Sequence, residues 1–336
     1  MNQRKNLQAK VVELKGDAYQ IGLKQGAALK NRRTADISDA DVSAGRKLLD
    51  EFSPSFLEEL AGLANKLGTD LDTAIRFYGG YNLQMPSMGC TSLANRSFYV
   101  RNYDFNDVLY DGRLVLIKPN NGYASIGFSQ QVVGRLDGMN EKGLAVGLHL
   151  VNEKVEQEGI QGFLATTICR LILDQCASVK EAAALIKQVP HQYCYNFSIM
   201  DKEGNSAIVE STPGAKVVHY NSGLICTNHF RSGKLKNKNR PSIDVSLRRK
   251  KYLETLDKEN LTPISAYHIF NNEDSPLFFK HYKEYFGTLH TVVYCPQDLR
   301  VIIGVGGNCE PYAISFDEWL AGETTLPKIL EGTIDC

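Results

Sequence analysis

Met88-Gly89-Cys90-Thr91-Ser92-Leu93-Ala94, followed eleven residues after the cysteine by Arg101-Asn102-Tyr103-Asp104-Phe105, is the stretch on which the reading of this 336-residue chain turns. An unhindered glycine precedes a cysteine, and a short strand pattern, an Asn-Arg turn and a second strand then bring Arg101 and Asp104 back towards it. A thiol with a pKa near 8.5 needs a base or a positive neighbour to ionise at neutral pH, and Arg101, one strand away, could supply that charge. On residue type alone the alternative is a buried structural cysteine, because cysteine is among the residues most often found inside.

Upstream of this hairpin the sequence reads largely as helix. Ser53 and Pro54 open one helix as N-cap and first helical residue; Leu57, Leu60, Ala61, Ala64 and Leu67 form its apolar stripe, and Gly68 ends it. A second helix is predicted from Leu71 towards Tyr78. Downstream, period-two or short apolar runs predict strands at 91–94, 98–102, 114–118, 123–128 and 144–150. Helices follow at 163–175 and 179–189, strands at 197–200, 207–210, 216–219 and 224–226, helices near 246–256 and from Pro263, and strands at 291–294 and 301–305. Strands, helices, strands, helices, strands describe an α+β protein of layered sheets covered by helices, not the βα alternation of a doubly wound sheet. One compact catalytic domain with an N-terminal helical segment folded onto it accounts for the pattern.

Charge excludes little and favours little. Lys plus Arg equals Asp plus Glu at 38 each, so no general field favours nucleic acid or an anionic membrane. Only Arg231 to Lys251 is locally basic, and it reads as a solvated loop. The polar start Met1-Asn2-Gln3-Arg4-Lys5-Asn6, and the absence of any run near the roughly 20 apolar residues that span a bilayer, predict a soluble, cytoplasmic protein. Eight cysteines, at 90, 169, 176, 194, 226, 295, 309 and 336, show no CxxC spacing and read as reduced thiols. Cys169 and Cys176 share a helix face and read as core. The seven histidines lack metal-ligand spacing, and Gly304-Val305-Gly306-Gly307-Asn308 is no phosphate or dinucleotide loop, so no metal or cofactor is expected.

Gly89-Cys90-Thr91-Ser92 with Arg101-Asn102-Tyr103-Asp104-Phe105 resembles the N-terminal nucleophile hydrolases, specifically the choloylglycine hydrolase and acyl-coenzyme A:6-aminopenicillanic acid acyltransferase group. Leu14-Lys15-Gly16 with Gly22 and Gly26, Glu59-Leu60-Ala61-Gly62-Leu63-Ala64, Gly138-Met139-Asn140-Glu141-Lys142-Gly143-Leu144-Ala145, Thr227-Asn228, the stretch from Ser246 to Leu253, and Thr291-Val292-Val293-Tyr294 with Gly306-Gly307 extend the resemblance over nearly the whole chain, in order. It implies a four-layer αββα sandwich and autocatalytic cleavage between Gly89 and Cys90. Residues 1–89 would then be a helical pro-segment, and 90–336 a catalytic domain beginning at its nucleophile.

The resemblance also implies roles. Cys90 would attack a linear amide and carry the acyl group as a thioester; its α-amine, with a pKa near 7.7 to 8.0, would serve as base. Asp104 resembles the aspartate that orients that amine, Arg101 the arginine beside the thiolate, and Asn228 the asparagine that stabilises the oxyanion. Arg249 best fits the late arginine of the family, with Arg248 close behind. Asn102, His149 and Asn196 join Arg248 as pocket candidates. His149 stands where choloylglycine hydrolases commonly have an asparagine, and can be a second oxyanion donor or a packed histidine. The short spacing from Cys90 to Asp104 favours the acyltransferase-like branch over a bile-salt assignment. The implied substrate is a small-molecule acyl amide, and homo-oligomeric assembly is expected. Acyl transfer from a thioester to an amine, and a catalytically silent uncleaved binding protein, are the alternatives.

Overall fold

The computed structural model describes residues 4–29, 37–84, 86–152, 161–221, 223–284 and 286–335; Cys336 lies outside them. The chain opens with β1 (Arg4–Gly16), then α1 (Ala18–Ala27), α2 (Asp39–Phe52), α3 (Pro54–Leu67) and α4 (Leu71–Tyr78). Next come β2 (Gly89–Ala94), β3 (Tyr99–Phe105), β4 (Arg113–Pro119), β5 (Ser125–Gln130), β6 (Gly134–Arg135), β7 (Asp137–Asn140) and β8 (Ala145–Asn152). Helices α5 (Ala165–Gln175) and α6 (Val179–Gln188) lead to β9 (Cys194–Met200), β10 (Ser206–Ser211), β11 (Lys216–Asn221) and β12 (Leu224–Cys226). The remainder is α7 (Asp244–Glu254), α8 (Pro263–Asn271), β13 (Lys280–His281), β14 (Phe286–Cys295), β15 (Arg300–Val305), β16 (Tyr312–Ser315), α9 (Phe316–Ala321) and β17 (Ile329–Asp335).

Two sheets form. One runs β11-β10-β9-β8-β7-β5-β4-β1-β17 with β6 on β5; the other runs β12-β2-β3-β14-β15-β16 with β13 on β14. They face each other, β2 meeting β8 and β15 meeting β17, while α5 and α6 cover the outer side of the first sheet and α7 and α8 that of the second. This is the αββα sandwich expected from the sequence. Leu93, Val100, Val293 and Ile302 on the second sheet pack against Ala266, Tyr267 and Phe270 of α8, so alternate residues of β2 and β3 look towards helices and the rest towards the other sheet.

The first 89 residues are not helix alone. Leu7 and Ala9 are buried between exposed neighbours, a period of two, and β1 is an interior strand, parallel to β4 and antiparallel to β17 over seven pairs each. Lys, Gln and Asn in β1 give it weak intrinsic strand preference; the two flanking strands, distant in sequence, provide its hydrogen bonds. Behind it, α1 and α3 touch through glycines: a Cβ on Gly22 would come within 1.9 Å of Glu59 O, and one on Gly62 within 2.0 Å of Tyr19 O.

Candidate active site

Strand alternation sorts the candidate residues into two sets that meet at the Gly89–Cys90 peptide. Gly89 stands opposite Asp104 and Cys90 opposite Tyr103 in the β2–β3 ladder. Cys90 and Arg101 point between the sheets; Thr91 and Asp104 point towards α7. A Cβ on Gly89 would lie 2.8 Å from Asp104 Oδ2 and 3.0 Å from Phe286, so the glycine before the cysteine is required by close packing.

Between the sheets, Arg101 Nη2 donates to Cys90 Sγ at 2.8 Å and to Leu148 O at 2.7 Å. Its Nη1 donates to Asp137 Oδ2 and to Leu136 O, each at 2.6 Å. Asp137 also accepts from Tyr294 Oη at 2.6 Å and lies 3.4 Å from His290 Nε2. Tyr110 and Phe128 complete the cage, the first hydrogen-bonded to His290 Nδ1 at 2.8 Å and the second stacked on its ring. Burial works to raise the Asp137 pKa, yet Arg101, His290 and Tyr294 together hold it below the ordinary carboxylate value. Cys90 is wholly buried, and burial pushes its thiol up to about 11 against the opposing pull of Arg101. In the intact chain the thiol is held protonated.

On the other face, Arg249 Nη1 donates to Asp104 Oδ2 at 2.5 Å and Thr91 Oγ1 at 3.0 Å, while Thr288 Oγ1 donates to Asp104 Oδ1 at 2.6 Å. Asn228 bridges the two faces: its Oδ1 accepts from Cys90 N at 2.9 Å and its Nδ2 donates to Leu150 O at 2.8 Å. A cavity of about 190 Å³, lined in part by Gly89, Asn228, Ser246, Arg249, Phe279 and Phe286, opens onto this junction.

The four pocket candidates do not gather with the five principal residues as a set. Asn102 is buried on the helix side, donating to Phe270 O and Leu277 O and accepting from Thr291 Oγ1; it ties β3 to α8 and faces away from Cys90. Asn196 donates to Thr227 O and His229 O and holds the backbone on either side of Asn228. Arg248 is exposed whereas Arg249 is buried one residue on: successive helix positions differ by about 100°, so of the two only Arg249 faces Asp104. His149 packs between the sheets with Nε2 near Ser198 Oγ at 2.9 Å and Ser92 Oγ at 3.2 Å. Burial, then Arg101, drives its pKa well below 6.5, so the ring is neutral.

Asp137, His290 and Thr288 escaped the sequence reading, and Tyr294 entered it only as the end of a strand, not as a partner of Asp137. The quoted resemblance at Gly138-Met139-Asn140 begins one residue after Asp137, and an aspartate flanked by Leu136 and Gly138 was the available signal. The others come from β14, which carries strand signal but nothing that announces a ligand for Asp137 or Asp104.

A face-to-face sandwich with the thiol at the first residues of an inner strand, beside a buried arginine, defines the class of the N-terminal nucleophile hydrolases. The family model for acyl-coenzyme A:6-aminopenicillanic acid acyl-transferase matches residues 92–310, and the chain belongs to that family. A comparison with curated proteins by sequence finds no match. Among solved structures, a variant of the conjugated bile acid hydrolase from Clostridium perfringens is 16% identical, with 74% of this chain and 97% of that chain covered at a TM-score of 0.48. Penicillin V acylase from Agrobacterium tumefaciens is 17% identical over 68% and 86%, at 0.42. The Caenorhabditis elegans orthologue of N-acylethanolamine-hydrolyzing acid amidase is 16% identical over 62% and 93%, at 0.44. No helix among the described residues is long and apolar enough to cross a membrane.

Proposed function

We propose that the chain is the precursor of a cysteine amidase that cuts its own Gly89–Cys90 bond and then cleaves linear carbon–nitrogen amides of small acyl substrates. The observation that carries this reading is the 2.8 Å contact between Arg101 Nη2 and Cys90 Sγ, in a buried site whose other charges are already paired.

In the precursor, Cys90 Sγ attacks the Gly89 carbonyl carbon, the peptide nitrogen leaves as the Cys90 amine, and water hydrolyses the thioester. The products are a carboxylate at Gly89 and a free α-amine at Cys90. That amine can take the thiol proton near neutral pH, which the peptide nitrogen of the intact chain cannot do. Sγ then attacks the substrate carbonyl, the α-ammonium returns the proton to the leaving amine, and water releases the acid from the thioester. Asp104, fixed by Arg249 and Thr288, is positioned beside Gly89 to orient the new amine. Asn228 Nδ2 carries a second N–H beyond the one given to Leu150 O, suited to an oxyanion.

Residues 1–89 stay in place under this reading. Their β1 fills the slot between β4 and β17, and its removal would expose two strand edges. The test is intact mass: fragments 1–89 and 90–336, eluting together, are expected. A single species at 37.4 kDa with full amidase activity overturns the cleavage step. The family's name supports a second reading, in which an amine resolves the same thioester; product analysis with and without added amine separates the two.

A further inference from the structure

Arg249, buried on α7, uses one nitrogen of its guanidinium in the intact chain. Nη1 donates to Asp104 Oδ2 at 2.5 Å and to Thr91 Oγ1 at 3.0 Å. Nε and Nη2 are shut from solvent and have no hydrogen-bond acceptor, while Phe279 covers one face of the group, its ring centroid 4.9 Å from the central carbon. The N–H groups of Nε and Nη2 point the same way, and together they form the side-on fork that fits both oxygens of one carboxylate. A buried donor left unmade is costly, and here two stand side by side. The open fork has a neighbour. Arg249 and Gly89 line the same cavity of about 190 Å³, with Met88 and Phe286. A single oxygen, Asp104 Oδ2, lies 2.5 Å from Arg249 Nη1 and 2.8 Å from where a Cβ on Gly89 would stand.

We propose that Arg249 is the receptor for the carboxylate that self-cleavage creates on Gly89: its Nε and Nη2 take the two new oxygens while Nη1 stays on Asp104. The inference rests on the self-cleavage reading and adds the fate of the end which that step produces. Hydrolysis of the thioester leaves a carboxylate on Gly89 and an amine on Cys90, largely ammonium at pH 7. Before the cut the junction holds one pair, Asp104 with Arg249. After it, two cations and two anions alternate: the Cys90 ammonium, Asp104, Arg249 and the Gly89 carboxylate. Every charge then has an opposite neighbour, which a buried site requires. The two new ends, which would otherwise pair with each other, are given different partners, so the amine is free to serve Cys90 Sγ as base. The tail of residues 1–89 stays in the cavity wall, and the donors left unmade in the precursor are satisfied in the product.

The test compares the cleaved wild-type protein, both fragments together, with the intact chain of Cys90→Ala. In proton–nitrogen spectra of the arginine side chains, the Arg249 Nε–H signal is identified by its loss when Arg249→Lys is added to Cys90→Ala. It is expected to move downfield in the cleaved protein, as an N–H does on gaining a carboxylate acceptor. A second measurement treats the cleaved protein with carboxypeptidase under native conditions. Fragment 1–89 of the wild type should keep its mass, whereas that of cleaved Arg249→Lys, whose ammonium offers no fork, should lose Gly89 and then Met88. Where Arg249→Lys does not cut itself, the Nε–H signal decides alone. A signal at the same position in the cut and uncut proteins, or trimming as fast in wild type as in Arg249→Lys, overturns the proposal. Mass separates this failure from that of the reading beneath it: a cut chain with an unmoved signal keeps the cleavage and refutes the receptor, while a single species at 37.4 kDa refutes both.

Discussion

Arg101 and Arg170 are both buried guanidinium groups paired with carboxylates, yet they hold different things together. Arg101 spans the two sheets and gives one nitrogen to a thiol. Arg170, on α5, binds Glu59 Oε2 at 2.6 Å and Asp174 at 2.8 Å, and Gln25 of α1 hydrogen-bonds the same Glu59. Its partners lie on both sides of the Gly89–Cys90 bond, so it is a seam between residues 1–89 and the rest. A buried arginine–carboxylate pair is therefore no mark of a catalytic centre by itself. What sets Arg101 apart is a thiol among its acceptors and a cavity opening on the adjacent peptide.

The sharpest way to break the comparison is Cys90→Ala. Self-cleavage, amidase activity and labelling by a thiol-directed acyl probe should all vanish while both arginine sites keep their pairs; labelling that persists, read by mass, would move the nucleophile elsewhere. Next comes Glu59→Ala, which leaves Arg170 short of one partner in the interior. Loss of one member of a buried ion pair costs about 3–5 kcal/mol, so denaturant unfolding should show that loss, and the two fragments should separate more readily. The chemical step of protein that remains folded should not change. Asn228→Ala should do the reverse, costing about 2.7–4 kcal/mol in the barrier, or about 10²- to 10³-fold in kcat, with little change in unfolding midpoint.

The smallest effect is acid response, opposite in sign at the two places. His149 and His290 beside Arg101 have pKa values lowered by burial. The unfolded chain therefore takes up their protons first, and stability present above about pH 6.5 is lost as pH falls towards their folded values. Asp174 at the seam is raised, burial outweighing Arg170. It protonates first in the folded chain, so its contribution grows as pH falls towards the unfolded value and is lost as pH rises through the folded one. Hydrogen exchange at pH 7 and pH 5 should show β2 and β8 loosening before α3 and α5; the opposite order would contradict this assignment.

Much of the fold is legible because its signals are local. Pro54–Leu67 and Leu71–Tyr78 form as helices at the bounds their caps and stripes predict, and the strands predicted after Cys90 form within a few residues of where the pattern puts them, whereas β7, β16 and β17 are not predicted. Strand β1 is not legible, because a polar 13-residue segment becomes a strand only when β4 and β17 flank it. In the site, the hairpin spacing brings Cys90, Arg101 and Asp104 together by ladder geometry alone. The choice of Arg249 over Arg248 needs the orientation of α7, and the inward turn of Asn102 to α8 needs the strand's facing to be known.

Sequence by itself determined the layered α+β class, the Cys90 hairpin and the family, since these rest on periodicity, turn chemistry and residue order within short windows. Tertiary structure alone decided that Asp137 and His290 stand behind Arg101 and that Arg170 joins the N-terminal segment to the sandwich. Each of these depends on contacts between residues up to some two hundred positions apart, such as Asp104 with Thr288. Their geometry is fixed by the packing of whole sheets, not by any local preference of the residues themselves.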